Sequence, residues 1–297
     1  MRVFVTGASG HLGSALVPEL LKAGHQVVGL ARSDASAEAL LAAGAEVRRG
    51  DLDDLGSLRD AAATADGVVH LAFKHDLMVT GEYAAAIDAD LAAVRAMADG
   101  LAGSGKPFVG TSGTLLIAGV GRTEDVTRPG GSRADSENLV AGLAGRGIRS
   151  SVVRLTPTVH SSLDRHGFIP VMIDAARRAG RSAYVGDGAN RWPAVHTLDA
   201  AHLFRLALEK APAGARLHAV DDEGVPLRLV AETIGRHLGL PVESITAEEA
   251  GAHFGWLAGI VATDNPASSA RTRELLGWTP AEPGLIADLD LGHYFAA

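Results

Sequence analysis

The residues with the plainest chemical purpose stand near the start of the chain, in Thr6-Gly7-Ala8-Ser9-Gly10-His11-Leu12-Gly13. Glycines at 7, 10 and 13 have the spacing of a loop that cradles a pyrophosphate. Gly7 lets the chain turn out of a strand through dihedrals that a Cβ forbids. Gly10, flanked by Ser9, His11 and Leu12, lets backbone N–H groups close on an anion at the positive end of a helix. Gly13 allows helix and strand to pack tightly. A glycine triplet alone is weak, because the chain holds 36 glycines. Placement strengthens it: residues 2–5 form an apolar strand before the loop, residues 14–22 a helix after it, and residues 25–30 a second strand.

Other chemistries fit poorly. The chain of 297 residues has no cysteine, so it offers neither a disulfide nor a thiolate nucleophile. Its twelve histidines show no HExxH-like pairing, so no metal site is expected. Gly110-x-Ser112-x-Thr114 misses a nucleophile elbow at its last position, and the glycine loop lacks the Gly-Lys-Ser/Thr ending of a triphosphate loop. Asp135 and Glu137 read as solvated helix-surface charge. A net charge of −8 argues against nucleic acid and membrane surfaces, and no apolar run reaches the length of a membrane span. A cytoplasmic protein is the default expectation.

The elements that must position the loop alternate. Strands at residues 46–50, 67–72, 106–112 and 148–155 are separated by helices at about 35–43, 55–63, 82–102 and 131–144. Ser33 or Asp34 can cap the first of these helices. Such alternation predicts an α/β fold with a doubly wound parallel sheet and a ligand at the carboxyl ends of its strands. Beyond residue 160 the rhythm breaks. Residues 1–160 are read as the dinucleotide-binding domain, with a returning segment near 190–210, and residues 161–297 mostly as a smaller C-terminal α/β substrate lobe.

The chain resembles the short-chain dehydrogenase/reductase superfamily in its extended or atypical epimerase/dehydratase-like branch. Five segments carry the likeness: residues 6–13, Gly50-Asp51-Leu52, Val68-Val-His-Leu-Ala72, Arg154-Leu-Thr-Pro-Thr-Val-His160, and Gly186-Asp-Gly188 through His196-Thr-Leu-Asp-Ala200. The resemblance implies a Rossmann-type domain, with Asp51 and Leu52 near adenine and Leu71, Ala72 and Phe73 along the nicotinamide half. It also implies a small-molecule substrate and allows a homodimer built on the helices at about 82–102 and 131–144. NAD-preferring folds place an acid at the end of the second strand, where this chain has Ala31-Arg32-Ser33. Arg32 beside Ser33 suits a 2′-phosphate, so NADP(H) is favoured over NAD(H).

The departure from the family is as informative. Its usual acid is a Tyr-x-x-x-Lys pair, and none of Tyr83, Tyr184 or Tyr294 has a lysine four residues on. Pro129 falls at the tyrosine place and Arg133 at the lysine place. Arg133 can donate to ribose hydroxyls but stays protonated, and Pro129 does neither. Ser112 and Thr114 flank Gly113, which takes the catalytic serine's place, and either can orient a carbonyl by a one-residue adjustment. His160 is the first choice for the missing proton donor because histidine titrates near neutrality. Lys74, His75, His166, Phe168, Tyr184, Trp192 and His196 are expected to shape the substrate pocket, and Phe254 and Trp256 lie in the same lobe.

These residues lead to an NADP(H)-dependent oxidoreductase of a small carbonyl, alcohol or activated double bond. A non-catalytic NADP(H)-binding sensor or scaffold is the alternative, and a sugar-nucleotide epimerase or dehydratase a weaker one.

Overall fold

Apolar runs too short for buried helices and rich in β-branched residues become the strands of a large sheet, and the amphipathic segments between them become its cover. A computed structural model describes residues 1–79 and 81–296. Its first elements are β1 (Arg2–Thr6), α1 (His11–Lys22), β2 (Gln26–Ala31), α2 (Asp34–Ala42), β3 (Glu46–Arg49), α3 (Leu55–Thr64) and β4 (Gly67–His70). There follow α4 (His75–Val79), α5 (Tyr83–Leu101), β5 (Pro107–Gly113), α6 (Arg133–Gly142), β6 (Arg149–Leu155) and β7 (Thr158–His160). Next come α7 (Phe168–Ala179), β8 (Ser182–Val185), β9 (Arg191–His196), α8 (Thr197–Lys210), β10 (Ala215–Ala219) and β11 (Asp222–Pro226). The chain closes with α9 (Leu227–Leu238), β12 (Val242–Ile245), α10 (Ala250–Phe254), α11 (Ala258–Val261), α12 (Ala270–Leu276) and α13 (Leu285–Asp290).

The large sheet has seven parallel strands in the order β10-β6-β5-β4-β1-β2-β3. The order reverses between β1 and β4, so the loops leaving their carboxyl ends part toward opposite faces and open a crevice there. Alternate strand residues feed two cores. Val3, Val5, Val69, Val109 and Val153 face α1 and α8, whereas Phe4, Val68, Phe108 and Val152 face α3 and α5.

The sheet is one strand larger than the six that the sequence pattern supports. Strand β10 pairs with β6, Leu217 beside Val153, and its Leu217 and Ala219 complete the core under Phe204. Arg216 and His218 alternate with them, so the segment has no continuous apolar run to mark it. Helix α8 packs on α1, tied by Arg205 to Glu19 at 2.7 Å and His25 to Glu209 at 2.9 Å. The remaining strands form the small sheets β11-β9-β7 and β12-β8, which share a separate core of Ile169, Met172, Trp192, Leu227, Ile234 and Phe254 with α7 and α9. None of the described helices is long and apolar enough to cross a membrane.

Candidate functional site

The glycine loop joins β1 to α1 at the crevice, and two of its three glycines, Gly7 and Gly13, are sterically required. Gly7 takes a φ of +68°, and a Cβ there would stand 2.8 Å from the Ala72 nitrogen. A Cβ on Gly13 would lie 2.2 Å from the Gly7 carbonyl oxygen and 2.5 Å from that of Ala8, both backbone atoms with nowhere to go. The Gly10 N–H donates to the Gly7 carbonyl at 3.0 Å, closing the turn. Helix α1 starts with no side-chain cap and no acid in its first turn, and Ser9 and Gly10 are exposed. Its first N–H groups therefore present a partial positive charge to whatever enters. Leu12 is buried in the core, while His11 reaches sideways, with Nε2 2.8 Å from the Thr197 hydroxyl and Nδ1 4.0 Å from Asp164. Burial holds the His11 pKa below its ordinary value against the pull of Asp164.

At the end of β2, Arg32 is exposed and has no ion-pair or hydrogen-bond partner among the described residues. Ser33 spends its hydroxyl on capping α2 through the Ser36 N–H at 3.2 Å. Asp51 accepts from the Asp53 and Asp54 N–H groups at 2.8 and 3.2 Å, and so shapes the turn after β3, while Leu52 is buried. Lys74 is bound to Asp53 at 2.6 Å. It thus straps the turns after β4 and β3 together, and the expected place in a substrate pocket gives way to that ion pair.

The next part of the crevice is built on β4 and β5. Beneath it the Ala72 N–H donates to the Thr6 hydroxyl at 3.3 Å, that hydroxyl meets His70 Nδ1 at 2.7 Å, and His70 Nε2 meets Asp90 at 3.1 Å. Burial alone would raise the Asp90 pKa, but the His70 hydrogen bond and charge, helped by Arg133, hold it below the usual carboxylate value. Asp90 sits in the apolar stripe of α5 with Ile87, Val94 and Met97. An acid inside such a stripe was the available sequence signal for this relay. Above it, Arg133 donates to the Thr111 carbonyl at 3.1 Å and lies 4.1 Å over the Phe73 ring. The rings of His75 and Tyr83 also edge against Phe73, at 5.3 and 6.5 Å. Leu71, Ala72, Phe73, His75, Tyr83 and Arg133 are thereby brought together at one edge of the crevice.

Three expected catalytic groups face elsewhere. The Ser112 hydroxyl donates to Glu137 at 2.8 Å. Glu137 is buried rather than solvated, because Arg154, with no exposed surface, grips it at 2.5 and 2.9 Å and Arg216 adds a bond at 2.9 Å. Thr114 is fully buried and accepts from Asn265 at 3.0 Å. His160 has no exposed surface, and its Nδ1 pairs with Asp288 at 2.9 Å. A side chain with no exposed surface hands no proton to a substrate, so His160 belongs to the junction of β7 and α13. Its ring stands edge-on to His196, 5.5 Å away.

The lobe divides the remaining pocket candidates. His166 is exposed and Phe168 half-buried, whereas Trp192 is core, bonded to the Thr263 carbonyl at 3.1 Å. Phe254 is also core, but Trp256 is 60% exposed and stands edge-on to Phe168 at 5.7 Å. Tyr184 lies under Arg228, 5.6 Å from its ring centre.

A seven-stranded parallel sheet reversing at β1 and β4, with a glycine cradle at the reversal, defines a doubly wound dinucleotide-binding protein of the Rossmann kind. Residues 3–220 match the NAD dependent epimerase/dehydratase family, and the chain belongs to it. It is 44% identical to an uncharacterized protein of Schizosaccharomyces pombe, over 99% of this chain and all of the other. It is 30% identical to a 2-alkyl-3-oxoalkanoate reductase of Stenotrophomonas maltophilia, over 81% of this chain and 77% of that one. In three dimensions it superposes on the dTDP-glucose 4,6-dehydratase DesIV of Streptomyces venezuelae, solved with NAD bound. That match has a TM-score of 0.77 and 20% identity, over 99% of this chain and 96% of the other. Together these make the chain an oxidoreductase-type enzyme of this family.

Proposed function

We propose that the protein is an NADP(H)-dependent oxidoreductase of a small carbonyl, alcohol or activated double bond. The observation that carries this reading is the glycine cradle where the sheet order reverses, with an exposed Arg32 at the end of β2 and Arg133 over the Phe73 ring, although Pro129 stands where the family's tyrosine would be. The residues fit the dinucleotide. The cradle around Gly7, Gly10 and Gly13 leaves room that a Cβ would fill, and the uncapped N–H groups of α1 suit a pyrophosphate. Arg32 supplies an unpaired charge for a 2′-phosphate, with Asp51 and Leu52 at the adenine edge. Leu71, Ala72, Phe73 and Arg133 line the nicotinamide half. When bound, the reduced nicotinamide supplies a hydride, a reaction that depends chiefly on alignment. Similarity to a reductase of a 3-oxo compound supports a carbonyl substrate.

A purified chain incubated with NADPH or NADH and a broad carbonyl panel tests this through absorbance of the reduced cofactor. Arg32→Ala is expected to weaken NADPH binding about 10- to 100-fold while leaving NADH unchanged, the worth of a charge-assisted phosphate contact. Equal effects on both cofactors would remove the assignment to the phosphate.

One observation favours a second reading, a cofactor-binding sensor without turnover. The Ser112 proton is committed to Glu137, which removes the hydroxyl that would polarise a carbonyl. Tight NADPH binding with no consumption across the panel would select it.

A further inference from the structure

We propose that Tyr83 is the proton donor of this active site, replacing from α5 the tyrosine that the family carries on the helix containing Arg133. The proposal rests on the oxidoreductase reading above. Tyr83 opens α5 and Arg133 opens α6, and the two helices pack so that both first turns meet over the Phe73 ring. The phenol is half-buried. Its oxygen accepts from the Ser132 hydroxyl at 3.3 Å, an arrangement that leaves the phenolic proton for another acceptor, and none is found for it among the described residues.

The backbone supports this placement. Ser132 adopts a φ of +58° directly after Gly131 at +90°. A left-handed conformation at a residue with a Cβ carries strain and gathers where a side chain must be aimed. Here the aimed side chain meets Tyr83. Position 132 is three residues beyond Pro129 in the turn that leads into α6, so the phenol meets the segment that holds the vacant tyrosine place although it comes from 49 residues earlier.

The chemistry balances in the reductive direction. The carbonyl carbon receives a hydride, with its electron pair, from a reduced nicotinamide, which is thereby oxidised. The C=O π pair moves onto oxygen, and that oxygen takes the Tyr83 proton. Water then reprotonates the phenolate. Arg133, held by the Thr111 carbonyl and the Phe73 face, places a fixed positive charge beside the oxygen that becomes negative. Tyr184 lies under Arg228 in the lobe, and the half-buried Tyr294 already donates its phenolic proton to Asp164 at 3.1 Å, so neither competes for the role.

The test compares Tyr83→Phe with the wild type, using NADPH and a carbonyl compound that the wild type reduces. The expected result is a kcat lower by about 100-fold or more, with the NADPH Kd, read by nicotinamide fluorescence, within about twofold. Nitration with tetranitromethane and peptide mapping supplies a readout independent of turnover, and the chain has no cysteine to divert the reagent. Tyr83 is expected to be nitrated in the free protein and protected by saturating NADP+. A kcat within about threefold of wild type overturns the proposal, as does nitration that NADP+ leaves unchanged. If the wild type consumes no NADPH across the panel, the oxidoreductase reading fails. The nitration pattern then decides the placement of Tyr83 alone, protection supporting it and its absence overturning it.

Discussion

Gly13→Ala is expected to weaken NADPH binding at least about 100-fold and to cost about 3 kcal/mol of stability or more. The added methyl group would lie 2.2 and 2.5 Å from the carbonyl oxygens of Gly7 and Ala8, and a backbone oxygen cannot rotate away as a side chain does. Either the loop lifts off α1 or the helix slides along β1. Both displace the N–H groups that converge on the anion, and hydrogen bonds lose strength steeply with misalignment. Gly142→Ala is the control: Gly142 ends α6 at φ −69° with nothing within 4 Å of its missing Cβ. That change should be neutral or stabilise by up to about 1 kcal/mol. Fluorescence titration with NADPH and denaturant unfolding, both at a temperature where circular dichroism shows a folded chain, measure the two effects. NADPH affinity within about threefold of wild type for Gly13→Ala would mean that the loop does not hold the cofactor.

Glu137→Gln is expected to destabilise the fold by about 3–5 kcal/mol near neutral pH, because it leaves a fully buried Arg154 and a mostly buried Arg216 without their counter-charge. Ser112→Ala, which removes one bond to the same carboxylate, should cost only about 1 kcal/mol. The pH dependence has a definite sign. Burial raises the Glu137 pKa, but the hydrogen bonds and charge of Arg154, with Ser112 and Arg216, outweigh it and hold the group below its ordinary 4.5. A depressed folded-state pKa contributes stability that is present in full above the unfolded value and lost as pH falls through the folded one. The gap between wild type and Glu137→Gln should therefore be widest near neutrality and narrow below about pH 4.5. Urea midpoints measured across that range decide it, and a gap that is flat with pH would show that charge is not what the network supplies.

The expected and observed sites differ in a way that follows from sequence distance. The places of Arg32, Gly7, Gly10 and Gly13 follow from the strand–loop–helix pattern around them, which is local. Helix α1 and strand β5 lie close to where the pattern places them, at His11–Lys22 and Pro107–Gly113. Ser112, Thr114 and His160 fall at or beside family motif positions, but their surroundings depend on Glu137, Asn265 and Asp288, which are 25, 151 and 128 residues away. Nothing beside them in the chain announces those partners. Asp90, which the sequence pattern did not single out, carried a local signal, an acid inside the apolar stripe of α5.

By itself the sequence determined that this protein is a strand–helix alternation with a dinucleotide cradle at its first crossover and no tyrosine–lysine pair. Those properties depend on dihedral freedom, on hydrophobic period and on residue identity, all readable within a few positions. Only the tertiary structure decided that β10 joins the large sheet, that Glu137 is sealed between two arginines, and that Tyr83 meets Ser132. These follow from which strands become neighbours and how α5 lies against α6. That order is set by the burial of whole faces together, and no single segment encodes it.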